Sequence, residues 1–380
     1  MENKTRLTYI TTTTFPTSKA SSIQVMQMCA AFAEAGAMVK LVARPSDSNA
    51  DVFDHYGVAR NFSYETPRWW NMPRAADIFQ VRAVWRERGD WICYSRGRDL
   101  TAPFVALLRG ARAWVEAHGR PLTAREKLML TWIARHPRGR LIVISPPLQE
   151  IYQREFKLES LAAPDGVDLK RFEPRLSKED AREKLGVGQI GVGQVGNLPY
   201  IVYVGGLYEG RGLETLFKGV AALPAQLLIV GGRDSDEVAA WREKAKVLGA
   251  GNVHFVGYQS PARVPLYLFA ADILVMPYSA RTLTPSGEET TQWMSPLKLY
   301  EYLAAGRPIV ASDLPALRYV LRDNENALLA APDDERALRD SFDQLLKDES
   351  LRERLAANAR ASAERSTWLA RAKKILECAN

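Results

Sequence analysis

Ile201-Val-Tyr-Val-Gly-Gly-Leu-Tyr-Glu-Gly-Arg-Gly-Leu213 decides the architecture. Ile201–Val204 is a short run with no polar alternation, as in a strand covered on both faces. A glycine-rich turn follows, then helical spacing over Gly212–Ala221. Strand, tight turn and helix in that order make the opening of a βαβ unit. The same alternation runs outward in both directions.

Downstream, Leu227–Val230, His254–Gly257, Ile273–Met276, Ile309–Ala311 and Ala327–Leu329 read as strands. Helical patterns at Ser235–Leu248, Val264–Ala270 and Leu297–Ala305 fall between them. Upstream, the strands are Leu7–Thr13, Val39–Ala43, Trp91–Ser95, Ala113–Ala117 and Leu141–Ser145, and Ser22–Ala35 is helical with Gly36 as its stop. Two successive blocks of this kind predict an α/β protein of two Rossmann-like domains. The expected boundaries are 1–165 and 166–365, with a seam in 160–200. Within that seam, Gly186-Val-Gly-Gln-Ile and Gly191-Val-Gly-Gln-Val match a dinucleotide fingerprint. They follow a polar helix, Lys178–Leu185, and lead into a strand, the reverse of the order the fingerprint needs. They are read as a loop, and no cofactor is placed there. The stretch Asp333–Cys378 is helical nearly throughout.

The 380 residues suit two domains. Three cysteines, odd in number and far apart, give neither a disulfide framework nor a metal cluster. No apolar run is long enough to span a membrane, and the start lacks an apolar signal region, so a cytoplasmic protein is expected. Charge is uneven. Residues 1–165 hold 23 Lys+Arg against 16 Asp+Glu, an excess of seven, whereas 166–380 hold 28 of each. A basic first half attracts anions such as phosphate groups or an acidic membrane face. A solvated surface without a partner is the plainer alternative.

Two stretches carry candidate chemistry. The turn after Ile201–Val204 places Gly205, Gly206 and Arg211 ahead of a helix, which is a ready anion site. Ser295-Pro-Leu-Lys-Leu-Tyr-Glu-Tyr-Leu-Ala-Ala-Gly-Arg-Pro-Ile-Val310 is denser. Ser295 is expected to cap a helix with Pro296 at its first position and Gly306 at its end. Lys298 and Glu301 share one face, the lysine near the helix start and the carboxylate one turn on. A diphosphate and two sugar hydroxyls would suit them, and an exposed i,i+3 salt bridge is the ordinary reading of such a pair.

The segment PLKLYEYLAAGRPIVASDLP resembles the C-terminal signature of retaining GT-B glycosyltransferases of the family 4 type. In the same order along the chain, FPTSKASSIQVMQMCAAFAEAGAMVKLV, WVEAHG, APDGVDLKRF and YVGGLYEGRGLETL resemble other segments of that family. The resemblance implies a GT-B fold, two Rossmann-like domains facing across a cleft, with a helix at about 366–380 packed back on the first. It implies a metal-independent transfer of sugar from a nucleoside-diphosphate donor, of UDP or GDP type, to a hydroxyl of a glycan or lipid-linked acceptor. It also implies that Glu301 binds the nucleotide ribose. Arg211, Ser295, Pro296, Leu297, Lys298 and Leu299 lie near the diphosphate, as do Gly205 and Gly206. Ser21 and Ser22 stand where a loop faces the donor phosphates, and His118 stands beside the transferred sugar. His118, Arg211 and Lys298 are the expected catalytic residues, His118 either as a general base or as a partner of a sugar hydroxyl.

Two positions depart from that pattern. Trp293 stands where the family has the first glutamate of its E-x7-E motif, with Glu288 or Glu289 as candidate substitutes. Gly206 stands where many members carry an arginine. Arg96 and Arg98, after a strand, are candidates for contacting an acidic acceptor. Pro67–Arg74 and Ile78–Arg88 set tryptophans among arginines, which suits peripheral contact with an anionic membrane. Packing in the core is the preferred reading for Trp85. The rivals to a transferase are a GT-B nucleotide-sugar epimerase, a catalytically degenerate sugar-nucleotide-binding module, and a nucleic-acid-binding protein. No nucleic-acid motif supports the last, and no metal or resident cofactor is expected.

Overall fold

A computed structural model describes residues 4–67, 76–186, 198–232, 234–283 and 287–379. The near-duplicated glycine run and most of Pro67–Arg74 lie outside the described residues. The chain divides into two compact units. One comprises 1–165 with 293–295 and 368–380, and the other comprises 166–292 with 296–367.

The first unit is built on a seven-stranded parallel sheet. Its strands are β1 (Arg6–Thr14), β2 (Met38–Arg44), β3 (Ser63–Glu65), β4 (Ile92–Arg96), β5 (Arg112–Ala117), β6 (Gly139–Val143) and β7 (Leu161–Ala162), in the order β3-β2-β1-β4-β5-β6-β7. The order reverses at β1, which pairs with β2 on one side and β4 on the other. That reversal is where α/β folds keep ligand sites, beyond the carboxyl ends of the strands. β4 and β5 are buried almost throughout. Residue 293–295 of the chain and the helix Trp368–Leu376 complete this unit. The helix packs on the helix Ala20–Glu34, and its Lys374 donates to the Ala162 carbonyl at 2.9 Å.

The second unit has a six-stranded parallel sheet, ordered β10-β9-β8-β11-β12-β13. The strands are β8 (Tyr200–Val204), β9 (Gln226–Val230), β10 (Val253–Gly257), β11 (Ile273–Met276), β12 (Ile309–Ser312) and β13 (Leu328–Ala330). The fold class is therefore the α/β, twice-Rossmann arrangement read from the sequence.

Two local expectations are corrected. Ser295 does not cap the helix Leu297–Ala305, because its hydroxyl accepts from the Asp165 N–H at 3.2 Å and Pro296 takes the cap position without a side-chain bond. Trp85 is not a core residue. It is 57% exposed at the end of the helix Ala76–Arg86, with the Arg109 guanidinium 4.8 Å from its ring centroid. Among the described residues no helix is long and apolar enough to cross a membrane.

Candidate functional site

In the second unit the turn after β8 and the start of the helix Leu297–Ala305 bring Gly205, Arg211 and Lys298 together. Gly205 has φ +146°, a conformation side-chain-bearing residues rarely adopt, and a Cβ there would lie 2.6 Å from the Lys298 Nζ. Gly212, at φ +67°, packs so closely that a Cβ would overlap the Pro277 carbonyl oxygen. Glycine at both positions lets the backbone and the lysine occupy one small space.

The two cations rest on aromatic faces. Lys298 Nζ is 3.9 Å from the Tyr203 ring centroid and 5.4 Å from that of Tyr278. Arg211 Cζ is 4.9 Å from the same Tyr278 ring and 4.2 Å from Tyr208. Ring quadrupoles hold a cation without neutralising it. Among the described residues no carboxylate pairs with Lys298 or Arg211, and the shielded Arg211 Nε has no acceptor. Burial, and then Arg211, push the Lys298 ammonium well below the usual lysine value. Like charges this close are costly unless an anion joins them. The first N–H groups of two helices, Leu213–Val220 and Leu297–Ala305, add their dipoles nearby.

Glu301 does not pair with Lys298. Its Oε1 lies 3.3 Å from Arg171 Nη1, in a pair only 16% and 9% exposed. Burial raises the Glu301 carboxyl and Arg171 offsets this in part. Leu299 is fully buried and serves the core. The two departures from the family pattern have steric explanations. A side chain at Gly206 would run into the Tyr208 ring, whose Cε1 lies 2.5 Å from the Cβ position. Trp293 is 7% exposed in the core of the first unit, where its ring lies 5.3 Å from the Arg120 guanidinium and its carbonyl accepts from the Ser145 hydroxyl at 2.7 Å. Glu289 pairs with Arg281 at 3.5 Å.

In the first unit His118 follows β5. Its Nδ1 lies 3.0 Å from Arg96 Nη2 and its Nε2 lies 2.6 Å from Glu116 Oε1. Arginine only donates, so Nδ1 accepts and Nε2 carries the proton given to the carboxylate. Burial, then Arg96, lower the imidazole to about 4, which keeps it neutral at pH 7. Neither ring nitrogen has a lone pair left for a substrate proton in this arrangement. Glu116 is fully buried and also accepts from Gln24 at 2.6 Å and Tyr94 at 2.5 Å. Arg371 Nη2 sits 2.9 Å from its second oxygen. Burial opposes the charge on Glu116, but Arg371 and then His118 hold its carboxyl well below the usual range. Ser22 is buried and shares a 2.6 Å hydrogen bond with Thr17, so its hydroxyl is engaged, while Ser21 is half-buried in the first turn of the helix Ala20–Glu34. Arg98 lies 3.7 Å from Glu126.

Sequence reasoning missed Arg171, Glu116, Arg371 and the three tyrosines. Arg171 stood within a quoted motif, yet nothing in the sequence pointed to Glu301, 130 positions away. The tyrosines Tyr203 and Tyr208 flank the glycine turn, and aromatics beside an unpaired cation are the one signal that was available. Among the described residues no group of three His, Cys, Asp or Glu side chains is placed to hold a metal.

Residues 192–362 match the family model described as glycosyl transferases group 1. A lipopolysaccharide core biosynthesis glycosyltransferase of Rhizobium meliloti, LpsE, is 31% identical over 159 residues, 42% of each chain. The chain spans less than half the length of the curated relatives it matches. Among solved structures, sucrose-phosphate synthase from Thermosynechococcus elongatus superposes with a TM-score of 0.73 at 22% identity, covering 99% of this chain and 98% of that one. HepE of Anabaena, solved with UDP and glucose, gives 0.72 at 14% identity over 98% of each chain. These likenesses show a shared GT-B fold. Over residues 192–362, which apart from 293–295 lie in the second unit and hold the cation-bearing turn and the helix Leu297–Ala305, the chain is similar to the glycosyl transferases group 1 family.

Proposed function

We propose that the protein is a glycosyltransferase whose second unit grips a nucleoside-diphosphate sugar. The observation that carries this is the pair Arg211 and Lys298 beside Gly205, held on tyrosine faces and, among the described residues, forming no ion pair with a carboxylate. The sugar passes to a hydroxyl of a glycan or lipid-linked acceptor with retention of anomeric configuration. As the bond from the anomeric carbon to the phosphate oxygen breaks, the acceptor oxygen bonds to that carbon, negative charge grows on the leaving diphosphate, and the acceptor hydroxyl's proton passes to a leaving phosphate oxygen. Arg211, Lys298 and the helix N-termini are already oriented towards that charge, which is the preorganisation that lowers such barriers. The protein's own cations supply this charge, so no metal is assigned to the step. Ser295 and Trp293 are assigned to structure, and His118 to orienting Arg96 rather than to taking a proton. The likeness to HepE, a protein solved with UDP and glucose, supports a UDP-type donor, with GDP as the other choice.

A thermal-shift panel of UDP, GDP, dTDP and ADP sugars tests the reading, with mass spectrometry of products against glycan and lipid acceptors. One nucleotide sugar should raise the melting temperature, and Glu301→Ala should weaken its binding by about 1–3 kcal/mol, the scale for losing hydrogen bonds to a charged acceptor. No shift with any sugar nucleotide would remove the proposal, and an isomerised donor formed without acceptor would favour an epimerase.

The basic first unit is assigned peripheral contact with an anionic bilayer. Trp85 and Ile78 are exposed on one helix, and Leu122 and Leu128 are exposed beside a second, to which Arg125–Asp77 joins the first at 3.0 Å. Residues 118–140 hold six basic side chains against one acidic. Apolar tips among cations suit the headgroup boundary of acidic lipid. Cosedimentation with vesicles should rise with anionic lipid content and fall in Trp85→Ser/Leu128→Ser, while equal, negligible binding to both vesicle types would discard the contact.

A further inference from the structure

We propose that Arg171 is a positioning residue that fixes Glu301 as the acceptor of the donor's ribose hydroxyls, an inference resting on the reading of this unit as a nucleotide-sugar site. The Glu301 carboxylate is largely withdrawn from water on the helix Leu297–Ala305. A carboxyl in such surroundings tends to take up a proton, and a protonated carboxyl is a donor that serves a vicinal diol poorly. A diol needs an ionised group that only accepts. Arg171 provides the compensating charge at Oε1, and among the described residues no other side chain takes Oε2.

Arg171 is itself firmly placed. It lies on the short turn Leu169–Phe172, which Asp168 caps by accepting from the Lys170 N–H at 3.0 Å. The neighbouring Phe172 is buried edge-on against Phe269, with centroids 5.9 Å apart. With its other terminal nitrogen Arg171 donates to the Pro261 carbonyl, on the turn that follows β10. One guanidinium thus ties the carboxylate to a neighbouring loop and sets its rotamer. A planar fork can do this where a lysine cannot.

Calorimetric binding of UDP and 2′-deoxy-UDP, and of GDP and 2′-deoxy-GDP, to the full chain tests the role. The ribose form should bind about tenfold more tightly than the deoxy form, the effect of one hydrogen bond to a charged acceptor. Glu301→Ala should abolish that preference. Arg171→Ala should reduce it to about twofold or less, and should have no further effect on it in a Glu301→Ala background. A fold defect alone would weaken both nucleotides equally and leave their ratio intact. A preserved ratio in folded Arg171→Ala, with the ratio lost in Glu301→Ala, overturns the positioning role. A preserved ratio in Glu301→Ala overturns the ribose reading instead. If Arg171→Ala does not fold, Arg171→Lys is judged by the same ratio, because it keeps the charge and loses the two-pronged hold.

Discussion

Arg371→Met is expected to destabilise the first unit by about 3–5 kcal/mol, the range for removing one partner of a buried ion pair. Glu116 has no exposure, and Arg371 has 5%. Without the guanidinium, Glu116 keeps hydrogen bonds from Gln24, Tyr94 and His118, but no positive charge within contact. Arg371 also donates to the Ala163 carbonyl at 3.0 Å, so its loss frees the last helix from two anchors at once. Chemical denaturation of wild type and variant at pH 7 measures the difference. Glu116→Gln/Arg371→Met should recover much of it, since no charge is then left stranded. A folded Arg371→Met as stable as wild type would show that the pair does not hold this helix.

The sign of the pH dependence follows from the same pair. In wild type the folded Glu116 carboxyl lies below its unfolded value, so its contribution is present above the ordinary glutamate range and is lost as pH falls through the folded value. In Arg371→Met burial still opposes the charge and His118 and Arg96 are left to lower the carboxyl, so the folded value moves up from its wild-type position. The variant then gains relative stability as pH drops, because its native state binds the proton more readily. The two stability curves should converge as pH falls through the carboxylate range. Curves that stay parallel would mean that Glu116 does not carry the charge assigned to it.

Strands such as Ile201–Val204 and Trp91–Ser95 were legible because a strand covered by helices on both faces must be apolar throughout. β3, Ser-Tyr-Glu at a sheet edge, and the two-residue β7 were not legible, because neither buries enough to leave a pattern. Within the site, Arg211 and Lys298 were readable from local spacing, since each lies on the turn or helix start that uses it. The contacts that set their neighbours are not local. Arg171 meets Glu301, Arg371 meets Glu116, and Ser295 meets Asp165, each across more than a hundred positions, and periodicity carries no record of such pairs. Trp293 shows the same limit from the other side. As a sequence position it reads as a missing glutamate, whereas in the fold it fills part of the first unit's core.

Lys298→Ala is expected to cut kcat by about 10²–10³-fold, roughly 2.7–4 kcal/mol in the barrier, the effect of removing one preorganised donor from a developing oxyanion. Lys298→Arg should be impaired as well, because the space between Gly205 and the Tyr203 ring admits an ammonium and is too short for a guanidinium. Gly205→Ala should fail as well, since φ +146° is a conformation alanine rarely adopts and its Cβ, 2.6 Å from the lysine nitrogen, would displace it. Affinity for a nucleoside-diphosphate sugar carries an independent signature. In the free protein burial and Arg211 favour loss of the Lys298 proton, and a bound diphosphate favours its retention. Binding therefore takes up a proton, and affinity must fall as pH rises through the depressed lysine value of the free protein. The decline should begin below the ordinary lysine range and should disappear in Lys298→Ala. Calorimetry in two buffers of different ionisation enthalpy measures the uptake directly. Equal apparent enthalpies in both buffers throughout that pH range, together with unchanged turnover in the alanine variant, would place the departing phosphate somewhere other than on this lysine.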